Sequence, residues 1–62
     1  MANLRLNKFL SQMGVASRRG VELLIAQGRV MVGGEKVTAP GRIIDPERER
    51  VWVDGREVEG GP

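Results

Sequence analysis

The sequence predicts an α+β domain in which two packed helices lie against a small antiparallel sheet. Apolar residues recur with helical periodicity up to Gly28, and short β-prone runs separated by turn residues follow it. Only three residues connect the two predicted helices, so the helices must pack in contact. A chain of 62 residues has room for one small domain. We expect that domain to occupy 1–59, with 60–62 as a linker or tail.

Both helices are predicted from apolar spacing and from residues typical of helix ends. Gly14 is expected just after the first helix, where glycine commonly ends one. Ser17 is a predicted N-cap, because its hydroxyl can accept a hydrogen bond from a free backbone N–H. The second helix then runs from about Arg18 to Gln27. The predicted buried stripes are Leu6, Phe9, Leu10 and Met13 on the first helix, and Val21, Leu24, Ile25 and the C-terminal Gly28 on the second.

The second half of the chain has the pattern of a strand meander. Gly33-Gly34 and Asp54-Gly55 each separate two β-prone runs, which predicts two tight hairpins. Pro46 interrupts regular structure within a charged segment, so we expect a loop there. The predicted strands are 29–32, 35–37, 42–44, 50–53 and 56–59.

Positive charge is concentrated in the first half of the chain. Residues 4–34 hold five basic residues and one acid, and residues 35–62 hold five basic residues and seven acids. The two parts therefore carry +4 and −2, which sum to the net charge of +2. Such asymmetry is typical of nucleic-acid binders, and the layout favours RNA. Phe9 and Trp52 are the two aromatic residues, so we expect binding through phosphates and nucleic-acid shape rather than through base stacking.

Ser17-Arg18-Arg19 is the most informative local feature. Two arginines in the first turn of a helix oppose its dipole, whereas an incoming phosphate would meet backbone N–H groups, a hydroxyl and two guanidinium groups together. The alternative is that both are ordinary solvated surface arginines. Arg5 and Lys8 on the first helix, and Arg29 after the second, favour the phosphate site because five basic groups can share one face.

Several classes of protein are excluded by composition. The chain has no cysteine and no histidine, which excludes disulfides, thiolate metal ligands and histidine catalysis. It also lacks an apolar run long enough to cross a bilayer, and its N-terminus is unlike a signal peptide. We expect a cytoplasmic protein with no metal and no membrane partner. We also expect a monomer with no cofactor and no small-molecule substrate.

Several residue types recur at a specific spacing along the two predicted helices and the first hairpin: Arg5-Leu6-Asn7-Lys8-Phe9-Leu10, Gly14, Ser17-Arg18-Arg19, Leu24-Ile25 and Gly28-Arg29-Val30-Met31-Val32. This pattern resembles the S-four RNA-binding domain, also called the alpha-L RNA-binding motif. The closest likeness is to the N-terminal domain of bacterial ribosomal-RNA pseudouridine synthases. The resemblance implies two helices on a small sheet, with RNA held along the helical face. By matching position, the implied RNA contacts are Arg5, Lys8, Ser17, Arg18, Arg19, Gln27 and Arg29.

The chain departs from this pattern at two places, and a third segment only superficially resembles a catalytic motif. Gly33 stands where the family often has Asn or Asp, and Gly20 stands where it often has Glu or Ala. The catalytic aspartate of those synthases lies in a Gly-Arg-Leu-Asp motif of a separate domain. Residues 41–45 read Gly-Arg-Ile-Ile-Asp, which is one residue too long. We therefore expect Asp45, which precedes a proline, to serve a turn.

Three functions remain open at this point. The leading hypothesis is an RNA-binding module, not itself an enzyme, that recognises structured ribosomal RNA and delivers an attached pseudouridine synthase domain. The second is a stand-alone binder of ribosomal or transfer RNA. The third, from another class, is a protein-interaction module that uses the acidic C-terminal half.

Overall fold

The computed structural model describes residues 3–58, so the predicted tail at 60–62 and the strand end at Glu59 lie outside the described residues. The predicted α+β class is confirmed. Two helices are followed by strands, and an additional short strand precedes the helices. The described elements are β1 (Leu4–Arg5), α1 (Leu6–Gln12), α2 (Arg18–Ala26), β2 (Val30–Val32), β3 (Glu35–Lys36), β4 (Ile43–Ile44), β5 (Val51–Val53) and β6 (Arg56–Val58).

The larger sheet has four antiparallel strands in the order β3-β2-β5-β6. Both predicted hairpins are confirmed, one between β2 and β3 and one between β5 and β6. The turn residues Gly33, Gly34, Asp54 and Gly55 all have positive φ, between 51° and 87°. This is the conformation of a type I′ turn, which matches the twist of the strands it joins and favours glycine, asparagine or aspartate.

A second, two-stranded sheet is predicted only in part. The sequence predicts extended structure at 42–44 but gives no sign of strand β1. Leu4 pairs with Ile44, and Arg5 pairs with Ile43. The pairing supports the start of helix α1, which has no side-chain cap. Its first N–H groups donate instead to the carbonyl oxygens of Arg42 (2.8 Å from Leu6 N) and Pro40 (3.3 Å from Asn7 N). A distant segment of chain therefore takes the place of a cap.

Both helices end in the same motif. At the end of α1, the N–H of Gly14 donates to the carbonyl of Ser11, and the N–H of Val15 donates to that of Leu10. The same two bonds recur in α2, from Gly28 to Ile25 and from Arg29 to Leu24. Gly14 and Gly28 have φ of 76° and 75°. These are Schellman motifs, which use a glycine in the left-handed region to satisfy the last helical carbonyls. Helix α2 ends at Ala26, one residue before the predicted Gln27.

The core lies between the inner faces of the helices and the sheets. Three of the four apolar residues predicted for the first helix are buried, but Met13 is 38% exposed. The prediction was wrong there because α1 ends at Gln12, and Met13 belongs to the turn that follows. The buried apolar residues are Leu6, Phe9, Leu10, Val21, Ile25, Val30, Val32, Val37, Ile44, Val51 and Val53.

The outer face of the larger sheet is partly exposed. Trp52 pairs with Met31 across β2 and β5 and with Glu57 across β5 and β6. It is half-buried, whereas its neighbours Val51 and Val53 are buried, so it faces away from them as predicted. Between residues 3 and 58, neither helix has the length and apolar character needed to cross a bilayer.

Candidate nucleic-acid interface

The starts of the two helices border a basic groove of about 300 Å³. Arg5 immediately precedes α1, Lys8 follows it by three residues, and Arg18 is the first residue of α2. The short connection after Gly14 folds α2 back against α1, which brings the three cations together. The basic groove is lined by Arg5, Asn7, Lys8, Arg18 and Glu22.

The N-terminus of α2 adds to the positive potential of this groove. The Ser17 side chain is the predicted N-cap, and its Oγ accepts a hydrogen bond of 3.2 Å from the N–H of Gly20. No acidic residue lies in the first turn to compensate the helix dipole. The Ser17 hydroxyl proton stays available for donation to an incoming oxygen, because a hydroxyl can accept and donate at once.

Gly20 occupies a tight position in this first turn. A Cβ built there would lie 3.0 Å from Cβ of Ala16 and 3.4 Å from Oγ of Ser17. The glycine therefore lets the connection between the helices pass close to α2, beside the N-cap. This close approach gives a packing reason for the glycine that replaces the Glu or Ala often found at this position.

Arg19 lies on a different surface from Arg18. It borders a second groove of about 500 Å³, whose other lining residues are Glu22, Leu23, Ala26 and Pro40. Glu22 lines both grooves and therefore stands between the two arginines. The sequence predicted one shared basic face, whereas the structure divides the helical cations between adjacent grooves with a carboxylate at their border.

Arg29 and Gln27 form a separate cluster with Asp54. The guanidinium of Arg29 donates to both carboxylate oxygens of Asp54, at 2.7 Å from Nε and 2.6 Å from Nη2, and to Oε1 of Gln27 at 3.1 Å. The hydrogen bond raises the pKa of Arg29 and lowers the pKa of Asp54 from their ordinary values. Both side chains are about half exposed. The positive charge of Arg29 is therefore locally compensated in the free protein.

Asp54 is the partner that sequence reasoning missed. The sequence predicted a turn at Asp54-Gly55 but gave no reason to connect it with Arg29. The link follows from strand register, because Val30 pairs with Val53 and the next residues outward are Arg29 and Asp54. The N–H of Asp54 also donates to the carbonyl of Arg29 at 3.0 Å. A correct pairing of β2 with β5 would have revealed the ion pair.

Asp45 stabilises a turn, as predicted. Its side chain accepts a hydrogen bond of 3.1 Å from the N–H of Glu47, and its carbonyl accepts from the N–H groups of Arg48 and Glu49. The Glu49 carboxylate returns to the N–H of Asp45 at 2.8 Å and contacts Arg42 at 3.2 Å. The loop is thus closed by its own charged residues. Among residues 3–58, no group of three or more acidic side chains is arranged to hold a metal ion.

Comparison with known proteins identifies the family. The model of the S4 domain, the S-four domain of the sequence analysis, matches residues 4–49. An uncharacterized RNA pseudouridine synthase of Aquifex aeolicus is 52% identical over 59 residues, which is 95% of this chain and 24% of that protein. Ribosomal large subunit pseudouridine synthase B of Pseudomonas aeruginosa is 45% identical over 54 residues, which is 87% of this chain and 14% of that protein.

A solved structure agrees with this assignment. The crystal structure of a pseudouridylate synthase superposes with a TM-score of 0.82 and 25% identity, over 90% of this chain and 24% of that one. The chain therefore spans about a quarter or less of the length of these relatives. The resemblance to the S-four domains of pseudouridine synthases is confirmed, and the chain belongs to the S4 domain family.

Proposed function

We propose that this chain is an RNA-binding module that recognises structured RNA, ribosomal RNA foremost, mainly through its phosphates. The observation that carries the proposal is the basic groove, where Arg5 of β1, Lys8 of α1 and Arg18 of α2 converge. Guanidinium and ammonium groups form charge-assisted hydrogen bonds with phosphate oxygens. Membership of the S4 domain family supports the same conclusion.

The helix start at Ser17 supports binding of phosphate in particular. Arg18 and Arg19 lie where the helix dipole makes positive charge unfavourable. A bound phosphate would relieve that repulsion and could accept hydrogen bonds from the arginines. The same arrangement offers nothing to an apolar or cationic ligand.

The second part of the proposal is delivery of an attached pseudouridine synthase domain to its RNA. It is supported by relatives that are named as RNA pseudouridine synthases and are about four or more times as long as the matched region. In this proposal the present chain binds RNA as a cytoplasmic monomer, and it does not itself carry out the chemistry. The whole protein's reaction would then take place in the additional domain.

The charge distribution makes the protein-interaction hypothesis less favoured. Four acids of the C-terminal half form ion pairs with arginines of this chain: Asp54 with Arg29, Glu49 with Arg42, Asp45 with Arg48, and Glu57 with Arg50. These arginines offset part of the acidic charge within the fold, so that half does not offer the strongly negative surface that a basic protein partner would need.

A salt titration tests the proposed mode of binding. The affinity of the chain for a fragment of ribosomal RNA is measured by fluorescence anisotropy at increasing salt concentration. Four or five phosphate contacts predict a slope of roughly −3 to −5 for log affinity against log salt, since each contact releases counterions. A slope near zero would contradict the proposal.

A further inference from the structure

The second groove beside helix α2 is apolar on one side and charged on the other. Its apolar part consists of Leu23, Ala26 and Pro40, which we name the apolar pad. Leu23 is 60% exposed, the most exposed of the large apolar side chains between residues 3 and 58. Arg19 and Glu22 border the pad, so the pad is continuous with charged groups suited to nucleotides. An exposed apolar surface beside a binding groove is typical of a contact site.

Glu22 joins the apolar pad to the basic groove. Its carboxylate lines both, yet among the described residues it makes no hydrogen bond and no ion pair. Arg18 and Arg19 precede it by four and three residues and so lie on neighbouring positions of the helix surface. A carboxylate in this setting repels phosphate, but it can accept hydrogen bonds from the amino and imino groups of a base.

We propose that the pad holds one unpaired nucleobase of the RNA whose phosphates occupy the basic groove, and that Glu22 selects guanine there. The proposal rests on the proposed function. A base has an apolar face that fits Leu23 and Pro40, and its phosphates would be adjacent to Arg18 and Arg19. Guanine presents N1–H and the N2 amino group side by side on its Watson–Crick edge, and a splayed-out base exposes that edge. A carboxylate can accept both hydrogens at once.

The charges around the apolar pad, and its continuity with the basic groove, favour RNA as the ligand of the pad. The arginines on both sides of Glu22 favour a polyanionic ligand. The pad offers too little apolar surface to bind a protein partner, unless that partner carries acidic residues that complement the arginines. An RNA in which every base is paired would leave the pad empty. The inference therefore predicts a preference for RNA with a bulge or another unpaired nucleotide.

The pad is tested with three synthetic RNA hairpins: one with a single bulged guanosine, one with an abasic nucleotide in the bulge, and one fully paired. We expect the guanosine bulge to bind about 25-fold more tightly than the abasic bulge, with about fivefold from the apolar area buried on Leu23 and about fivefold from the contact with Glu22. Leu23→Ala should reduce this difference by about fivefold and leave the fully paired hairpin unaffected. Met31→Ala is the matched control, since Met31 is 40% exposed on the outer sheet face.

Three outcomes would overturn the inference, and a fourth would contradict the proposed function itself. Equal binding of the guanosine and abasic bulges overturns the inference, even if both bind with a steep salt dependence. An equal drop in affinity for all three hairpins in Leu23→Ala overturns it as well. A dimer that Leu23→Ala dissociates in size-exclusion chromatography would make the pad a surface for a second copy and also overturn it. If none of the hairpins binds the unaltered chain, the proposed function itself fails.

The role of Glu22 has its own experiment. The same hairpin is compared with guanosine and with adenosine in the bulge, using the unaltered chain and Glu22→Gln. We expect guanosine to be preferred by at least about fivefold, as for a bidentate base contact, and the preference to vanish in Glu22→Gln. The affinity for the adenosine hairpin should rise slightly in that variant, because a negative charge is removed, whereas the affinity for the guanosine hairpin should fall. A guanosine preference that persists in Glu22→Gln would exclude Glu22 as the selecting residue.

Discussion

At the scale of single residues, Arg18 and Arg19 oppose the dipole of the helix that they begin. Replacing both with alanine should weaken RNA binding by about 1.5–3 kcal/mol for each arginine that binds a phosphate. The free energy of unfolding should stay constant or rise by about 0.3–1 kcal/mol for each charge removed. Anisotropy titration and urea denaturation measure the two quantities.

Arg48→Ala is the matched control for that double variant. Arg48 is an exposed arginine in the loop after Asp45, with only a long contact of 3.9 Å to that residue. Its removal lowers the net charge without touching either groove. If Arg48→Ala weakened RNA binding as much as each helical substitution does, general charge rather than a defined site would account for binding.

The pair between Arg29 and Asp54 gives a second prediction. Asp54→Asn should increase RNA affinity and make the salt slope steeper by about 0.7–0.9, because it releases the charge of Arg29 for one more phosphate. Asparagine tolerates the positive φ of this position, and Asn-Gly suits the type I′ turn. The hairpin should therefore stay intact, which circular dichroism can check. If Asp54→Asn leaves the slope unchanged, Arg29 does not contact RNA.

The same pair sets the sign of a pH effect. The hydrogen bond from Arg29 lowers the pKa of Asp54, so the carboxylate is ionised more readily in the folded chain than in the unfolded one. The pair therefore contributes stability at a pH above the ordinary aspartate range. That contribution disappears as the pH falls through the folded-state pKa. At neutral pH the Asp54 carboxylate is ionised, and the pair with Arg29 is present.

Sequence reasoning located the helical cations but not their surroundings. Arg5, Lys8 and Arg18 could be brought together from the predicted first helix and the short connection to the second, which are local properties, although Arg5 lies in β1 and not in that helix as predicted. The ion pair that compensates the charge of Arg29 could not be predicted, because it depends on the register between β2 and β5, which lie about twenty residues apart. In the sequence Glu22 resembles any other solvated acid, because nothing there shows that two grooves meet at its position.

At the scale of elements, the end of helix α2 depends on Gly28. This residue has a φ of 75°, and a Cβ built there would lie 2.9 Å from Cδ of Lys36. Gly28→Ala should lower the free energy of unfolding by about 1–2 kcal/mol, mainly because alanine is strained in the left-handed region. The Lys36 side chain is flexible at that point and can move aside. Urea denaturation followed by circular dichroism measures the change.

Gly41→Ala is the control for the Gly28→Ala substitution. Gly41 does not have a positive φ, and a Cβ there would meet no atom within 4 Å. The substitution should be neutral or stabilise the chain by about 0.4–1 kcal/mol, through lower entropy of the unfolded state. Similar destabilisation by both substitutions would mean that the conformation of Gly28 is not the cause.

A helix or strand could be predicted from the sequence where residues close to it in the chain mark its position. Helices and hairpins are marked by spacing, caps and turn residues within a few positions. Strand β1 has only two residues, and its partner lies about forty residues away, so no local pattern marks it. The stripe predicted for the first helix includes Met13 because apolar spacing continues past the point where the Schellman motif ends the helix.

At the scale of the whole molecule, we expect the chain alone to show no pseudouridine synthase activity. Asp45 is engaged in closing its loop, and an enzyme of this class must receive its target base in a pocket. The chain is incubated with unmodified ribosomal RNA, and pseudouridine is sought by chemical adducts and primer-extension stops. Product that disappears in Asp45→Asn would overturn the assignment, while product that persists in that variant would indicate a contaminating enzyme.

The antiparallel contact between β1 and β4 has a consequence for how the chain is made. During synthesis, Arg5 and Lys8 leave the ribosome before the carbonyls of Pro40 and Arg42 that hold the start of α1, which follow roughly 35 residues later. The first helix is short and has no cap of its own, so it is marginal until that segment arrives. The nascent chain therefore completes its basic groove only after residues 40–44 have emerged from the ribosome and paired with the start of α1.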